Sequence, residues 1–432
     1  MTPGEQTDKY LAHFSGPDRP GVTAAITAAL AVGQCRILDI GQAVVHEHLA
    51  LGILLEAADA AETAALRSSL DERARELGLT MRLTPGTAEA LTHWRRGLED
   101  QHLENEHLED HRLKDQHLIV TVLGRRLDAI HLARISAALT ARGMNIDRIE
   151  RLSGGLLPDT APENACIELG VSGDPAEEAG LRVEFLKIAQ ELAIDIAVQR
   201  ESPFRRNRRL FAFDMDSTLI QGEVIDELAK LKGVGERVAK ITESAMRGEI
   251  DFDESFARRV ALLKGLPAEK VYALLGTIPL TDGAARLIGT LKALGYKTAI
   301  LSGGFMFFAR SLKERLGIDF IHSNELEIVD GAVTGRVIPP IINGARKAAL
   351  LKEIAEREGI ALEQVVAVGD GANDIPMLNA AGMGIAYRAK PLVREKADQS
   401  ISCLGLDGLL YLIGVRDRDV QGHEGAAHSP MG

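Results

Sequence analysis

The chain has 432 residues, of which 46% are hydrophobic and only 4% aromatic, and it carries a formal net charge of -12. At roughly 100–200 residues per domain, that length holds two to four domains. The acidic balance excludes sequence-independent binding to nucleic acid, which needs a basic face. No apolar run approaches the ~20 residues of a membrane-spanning helix, so no membrane partner is expected. Cys35, Cys166 and Cys403 are widely spaced and form no CxxC pair. They read as small buried hydrophobes in a reducing cytoplasm. The polar start, Met1 to Asp8, carries no apolar stretch of a secretory signal.

Residues 1–85 form the first predicted domain. Tyr10–Ser15 is a short strand, Gly16-Pro17-Asp18-Arg19-Pro20-Gly21 a turn, and Val22–Val32 a helix. Arg36–His46 and Leu49–Glu56 are extended, Ala61–Leu77 has helical periodicity and Thr80–Thr84 closes the unit as a strand. The order is βαββαβ. Residues 117–200 repeat it. Leu118–Leu123, Ile146–Leu152, Cys166–Val171 and Ile194–Val198 are strands, with helices over Asp128–Arg142 and Glu177–Leu192. This is a duplicated ferredoxin-like α+β domain.

Between the copies lies a charged linker, residues 86–116, with His102, His107 and His111. His107 and His111 stand four apart and could share a metal on a helix, but a solvated linker explains the composition better. Residues 201–414 are the third and largest unit. Arg205, Arg206, Arg208 and Arg209 precede its first strand and read as a solubilising entry. Residues 415–432 are polar and expected to be disordered.

The chemistry lies in the third unit. The run Leu210-Phe-Ala-Phe-Asp214-Met-Asp216-Ser-Thr is an apolar strand leading into two carboxylates. On a strand, residues i and i+2 share a side. Open α/β sheets bind ligands at the carboxyl ends of their strands. Two adjacent carboxylates repel, so a cation or a proton must offset them, which suits a hard metal and a division into nucleophile and acid. Lys297-Thr-Ala-Ile-Leu-Ser302-Gly303-Gly304 is another strand, ending in a hydroxyl and two glycines before the helix Phe305–Leu316. Ser302 can donate to a phosphoryl oxygen, and Gly303 lets its N–H approach one. Lys347 opens a helix over Ala348–Glu358. Val365-Val-Ala-Val-Gly369-Asp370-Gly371-Ala372-Asn373-Asp374 is a strand ending in oxygen ligands that suit magnesium. No nucleotide P-loop and no dinucleotide glycine pattern is present.

These four motifs, D-x-D-x-T, S-G, K and G-D-x-x-N-D, occur in an order that resembles the haloacid-dehalogenase superfamily of aspartyl phosphatases. The expected fold is therefore α/β, a Rossmann-like parallel sheet with a helical cap at about 221–280. Two α+β ferredoxin-like domains precede it. The sequence carries DMDSTxxxxE at Asp214–Glu223 and, in the cap, AMRGEIDFxESFxxRVxLLKG at Ala245–Gly265, and both are similar to the signatures of the phosphoserine phosphatase family. The resemblance implies O-phosphoserine as substrate, Mg²⁺ as cofactor and the last step of serine biosynthesis as role. It implies that Glu223 holds the substrate ammonium, Arg259 its carboxylate, and Met246 and Phe252 the apolar closure. It further implies Asp214 as nucleophile, Asp216 as acid and base, and Lys347, Ser302, Gly303 and Asn373 on the phosphate. Asp214, Asp370 and the Asp216 carbonyl would hold the metal, with Asp374 behind them. Residues 324–338 alternate around Asp330-Gly331, a hairpin beside the site.

The paired βαββαβ domains resemble ACT domains, small amino-acid-sensing modules. Asp18 and Gly21 lie in the loop that holds the ligand in such domains. The corresponding loop of the second copy, Gly124-Arg125-Arg126-Leu127-Asp128, lacks the Pro and the second Gly. L-serine as an effector bound there at a subunit interface, and a homodimer, are the matching expectations. Dimerisation without any ligand is an equal alternative for both copies. Two other readings remain open: a phosphatase of wider range that takes other phosphomonoesters or phosphoproteins, and an amino-acid-sensing protein with a vestigial catalytic unit.

Overall fold

The computed structural model describes residues 8–33, 35–45, 47–57, 60–85, 118–154, 164–247 and 249–420. The linker histidines His102, His107 and His111 lie outside the described residues. The chain divides into two compact units, Met1–Ser202 with Gly414–Gln421, and Pro203–Ile413 with Gly422–Gly432. No helix among the described residues is long and apolar enough to cross a membrane.

In the first unit, β1 (Asp8–Pro17), β2 (Arg36–Val45), β3 (His48–Ala57) and β4 (Thr80–Pro85) come from one copy of the repeat. The other copy supplies β5 (Leu118–Gly124), β6 (Asn145–Arg151), β7 (Ala165–Ser172) and β8 (Asp195–Arg200). All eight join in one sheet, β4-β1-β3-β2-β6-β7-β5-β8. The copies meet edge to edge where Gln42 of β2 pairs with Ile149 of β6. Gln42 is buried at this seam; its Oε1 accepts from Thr23 Oγ1 at 2.8 Å and its Nε2 donates to the Ile146 carbonyl. One apolar core runs under both copies, including Phe14, Ile26, Leu30, Ile135, Leu139 and Phe185. Each such side chain contributes roughly 1.5–3 kcal/mol when fully buried.

The tail expected to be disordered from residue 415 is corrected over its first residues. Asp417–Val420 is a short helix. Asp417 N–H donates to the Leu152 carbonyl at 2.9 Å, and Arg416 pairs with Glu150 at 3.1 Å. Residues 421–432 lie outside the described residues.

The second unit holds the sheet β12-β11-β10-β9-β13-β14-β15. Its strands are β9 (Leu210–Phe213), β10 (Lys297–Phe305), β11 (Phe320–Val329), β12 (Ala332–Ile338), β13 (Val365–Gly369), β14 (Met383–Tyr387) and β15 (Gln399–Ile401). All neighbours are parallel except β11 and β12, which form the hairpin expected around Asp330-Gly331. Leu210, Phe211, Ala212 and Phe213 are all 0% exposed, as a central strand covered on both faces requires. The chain order reverses about β9, which lies between β10 and β13. A crevice therefore opens past the carboxyl ends of these three strands.

The insertion between β9 and β10 is mainly helical: Val224–Lys232, Gly235–Met246, Phe252–Ala261 and Ala268–Tyr272. Its stem is closed by Gln221 N–H to the Pro279 carbonyl and Thr281 N–H to the Leu219 carbonyl, each 2.9 Å. Main-chain bonds from Gly265 to Val333 and from Ala268 to Gly331 tie it to the hairpin. The arginine-rich entry is not wholly solvated. Arg205 is 1% exposed, and Arg209 N–H donates to the Gln364 carbonyl at 2.8 Å. Cys35 and Cys166 are buried and Cys403 partly so.

Candidate active site

Strand alternation does not bring Asp214 and Asp216 together, contrary to the expectation from their spacing. β9 stops at Phe213, and the next residues form one wide turn in which Ile220 N–H donates to the Met215 carbonyl at 3.1 Å. Ser217 sits at φ 57 within it. The turn reverses the chain and leaves both carboxylates at the sheet's carboxyl edge. Asp214 is 5% exposed; its Oδ1 accepts from Met215 N–H at 2.7 Å and its Oδ2 lies 2.9 Å from Lys347 Nζ.

Lys347 falls within the helix Gly344–Arg357, one turn further in than expected. Asn343 caps that helix by accepting from Arg346 N–H at 3.1 Å. Lys347 is 0% exposed, with its Nζ also 2.7 Å from Asp374 Oδ1. Burial pulls its ammonium down, but Asp214 and Asp374 outweigh this and hold it charged, above the usual lysine range. Asp374 Oδ2 accepts from the Asp370 and Gly371 N–H groups at 3.1 and 3.0 Å. Both of its oxygens are thus engaged.

Carboxylate oxygens of Asp214, Asp370 and Asp374 all lie within 4.8 Å of one another. Burial, then the charge of Asp214, pushes Asp370 up to about 7. Thr218, which the sequence reading left without a role, donates to Asp370 Oδ1 at 3.2 Å. Burial also raises Asp374, with Asp214 adding to it. Carboxyls held above their ordinary range by burial and then by one another are relieved by a cation, and an all-oxygen donor set fits magnesium. Asp216 is raised well above the usual carboxylate range by burial first and Asp214 second. It accepts from Val224 N–H at 2.9 Å, so its second oxygen is left to carry a proton.

Ser302 is 0% exposed at the end of β10, and its Oγ accepts from Gly304 N–H at 3.0 Å. The strand runs on through Gly303 and Gly304 to Phe305, so no helix N-terminus stands at Gly303 itself. Close approach explains both glycines. A Cβ on Gly303 would lie 2.8 Å from Phe252 Cζ of the cap, and one on Gly304 would strike Asp216 Oδ2 and lie 2.7 Å from Met215 Cε. Phe252 stacks on Phe256, which packs against Phe305, and the aromatic row fixes the cap over the crevice. Asn343 adds a polar tie, its Nδ2 donating to both oxygens of Asp253 at 3.1 Å.

The cap helix Phe252–Ala261 begins at Asp251, whose side chain accepts from Glu254 N–H at 2.8 Å. It places Arg259 inward, 8% exposed. Arg259 Nη1 lies 3.6 Å from Glu223 Oε2, and its Nε is buried with no hydrogen-bond partner. Burial, then Asp226, raises Glu223, while Arg259 and Lys390 lower it. Asn373 is partly buried in the loop after β13. Met246 ends its helix, and its side chain lies outside the described residues.

In the other unit, Asp18 and Gly21 meet the second copy of the repeat within the same chain. Asn145 Nδ2 donates to Asp18 Oδ2 at 2.8 Å, and a Cβ on Gly21, at φ 94, would lie 3.3 Å from Thr140 Cγ2. The loop's setting is thus already an interface between copies, without a second subunit. The second loop is differently occupied: Asp128 N–H donates to His131 Nδ1 at 2.8 Å, and Ala129 N–H to the Cys35 carbonyl at 3.3 Å.

Residues 208–382 match the family of haloacid dehalogenase-like hydrolases, and residues 10–84 and 116–199 each match an ACT domain. The chain is 41% identical to a phosphoserine phosphatase of Streptomyces coelicolor, over 95% of this chain and 93% of that one. It is 40% identical to one of Mycobacterium tuberculosis, over 95% and 94%. Among solved structures, a probable phosphoserine phosphatase of Vibrio cholerae superposes with TM-score 0.56 at 36% identity, covering 70% of this chain and 87% of that one. A haloacid dehalogenase family hydrolase of Salmonella enterica serovar Typhi does so with TM-score 0.60 at 32% identity, covering 69% and 99%.

Proposed function

Because the chain belongs to the phosphoserine phosphatases of the haloacid dehalogenase-like hydrolases, with two ACT domains, we propose that it hydrolyses O-phosphoserine through a phosphoryl group held covalently on Asp214. The observation that carries this reading is the pairing of Asp214, clamped by Met215 N–H and Lys347, with Asp216, whose buried carboxyl favours the neutral acid.

An oxygen of Asp214 attacks phosphorus, and the bond from phosphorus to the serine oxygen breaks. Asp216 gives its proton to that departing oxygen. Asp216, now a carboxylate, takes a proton from water, whose oxygen attacks phosphorus and releases phosphate from Asp214. Ser302, the Gly303 N–H and Lys347 face the phosphoryl oxygens, and Asn373 orients them. Asp214, Asp370 and the Asp216 carbonyl would hold Mg²⁺, which supplies positive charge against the phosphate and the nucleophile. Asp374, with both oxygens spent on Lys347 and two N–H groups, supports that set from behind.

Substrate choice follows from Glu223 and Arg259. A zwitterionic amino acid needs one anion for its ammonium and one planar cation for its carboxylate. The buried, unpartnered Nε of Arg259 supports this role, since a carboxylate would satisfy it. Phe252 over Gly303, with Met246 proposed beside it, favours a small ester over a phosphoprotein. We further propose L-serine as an effector held by Asp18 and Gly21, a homodimer, and a reducing cytoplasm as its setting.

The test is phosphate release from a panel of phosphomonoesters with Mg²⁺, beside an Asp214→Asn control. Strong preference for O-phosphoserine and a dead control are expected. Activity surviving in Asp214→Asn would remove the nucleophile assignment, and equal rates across the panel would remove the substrate assignment alone.

A further inference from the structure

Asn324, in β11, is 0% exposed and takes no part in the scheme above. Its Nδ2 donates to the Gly303 carbonyl at 2.8 Å, and its Oδ1 accepts from Ile342 N–H at 2.7 Å. Each end meets a partner of opposite polarity, so the amide stands one way round only.

The first bond holds the peptide plane that joins Gly303 to Gly304. The N–H on the far edge of that plane is the one that donates to Ser302 Oγ. A hydroxyl that accepts there keeps its own hydrogen to donate elsewhere. Asn324 thereby sets the polarity of Ser302 through one rigid peptide. The second bond fixes Ile342, the residue before Asn343, which caps the helix that carries Lys347. One buried amide thus orients two groups that face phosphate, from two segments far apart in the chain. Without it, the Ile342 N–H would be buried and unpaired, a state that backbone groups avoid.

We infer that Asn324 is a positioning residue for phosphoryl transfer, acting through the Ser302 hydroxyl and the start of the Lys347 helix. This rests on the reading of Ser302 as a donor to a phosphoryl oxygen.

The experiment is a double-mutant cycle on the full chain with Mg²⁺ and O-phosphoserine: wild type, Asn324→Ala, Ser302→Ala and both together. Each single substitution is expected to lower kcat roughly 10–100-fold, with a smaller change in KM. In the Ser302→Ala background, Asn324→Ala should cost several-fold less than it does in the wild type. Equal fold-losses in both backgrounds would overturn the inference and leave the Ser302 reading intact. A Ser302→Ala chain with wild-type kcat would overturn both, while the Asp214→Asn control still reports on the nucleophile. If Asn324→Ala does not fold, the cycle is run with Asn324→Asp, which keeps the shape and the acceptor for Ile342. Failure of both variants to fold would assign Asn324 to stability and overturn the inference.

Discussion

Lys347 Nζ lies 2.9 Å from Asp214 and 2.7 Å from Asp374, and all three side chains are buried. The lysine therefore does two things at once. It balances two carboxylates that would otherwise repel each other, and it fixes the direction of Asp214, the proposed nucleophile. Lys347→Met should leave two buried carboxylates without a counter-charge. We expect a loss of ~3 kcal/mol in stability, at the lower end for a broken buried pair. We also expect kcat to fall at least about 100-fold. Thermal unfolding and steady-state kinetics check the two parts separately. A variant that keeps its Tm but loses kcat would show that the lysine serves chemistry alone.

Asp370 provides a pH test of the proposed metal site. Burial and Asp214 raise its folded pKa to about 7, against about 3.8 for a free aspartate. The folded chain therefore binds the proton more tightly than the unfolded chain does. Stability from this group is fully present below the unfolded value and is lost as pH rises toward 7. Without metal, Asp370→Asn should match wild type near pH 4 and exceed it at pH 8, by at most ~4 kcal/mol. Added Mg²⁺ should reverse that order at pH 8, because only the wild type gains a ligand for its native state. Melting curves of both chains, with and without Mg²⁺, decide it. A wild type that gains no more than Asp370→Asn from Mg²⁺ at pH 8 would sink the ligand assignment.

Gly304 stands where no side chain fits. A Cβ there meets Asp216 Oδ2 and, at 2.7 Å, Met215 Cε, and the surrounding turn is wholly buried at Met215. Gly304→Ala should displace Asp216, the proposed general acid, and lower kcat ~100-fold, the usual scale for a misplacement of about 1 Å. Gly303→Ala meets chiefly the ring tip of Phe252, at 2.8 Å, with the Ile342 carbonyl oxygen next at 3.4 Å, so it should raise KM more than it lowers kcat by propping the cap. Kinetics of the two variants side by side test the contrast, and the same profile in both would defeat it.

The parts most legible in the sequence were those whose chemistry dictates residue type and local spacing. The two repeats showed through period-two and helical patterns, and the four motifs showed because three lie along or just past a strand's carboxyl end and the fourth, Lys347, in the first turns of a helix. What escaped depends on contacts between distant segments. The approach of Asp214 and Asp216 comes from a wide turn held by Met215 and Ile220, which the D-x-D spacing does not reveal. Arg205 read as a solvated charge because its burial depends on tertiary structure alone. Asn324 looked like any polar residue in a strand. Its partners are backbone atoms of Gly303 and Ile342, and backbone atoms leave no mark in sequence. The seam that sets Asn145 against Asp18 was hidden for the same reason, since two repeats do not announce which edges will pair.

In the proposed scheme Glu223 and Arg259 divide the substrate between them, and the division can be read by changing the ester. They approach each other to 3.6 Å, too long for a tight ion pair, and Arg259 Nε is buried with no hydrogen-bond partner. Phosphoserine would bring an ammonium to Glu223 and a carboxylate to Arg259. Removing one charged hydrogen-bond partner costs about 1.5–3 kcal/mol, or roughly 10–100-fold. Glu223→Gln should therefore lower kcat/KM on phosphoserine and phosphoethanolamine, but hardly on phospholactate, which lacks the ammonium. Arg259→Met should lower it on phosphoserine and phospholactate, but hardly on phosphoethanolamine, which lacks the carboxylate. If each variant instead loses the same factor on all three esters, the two residues hold the cap together and do not read the substrate.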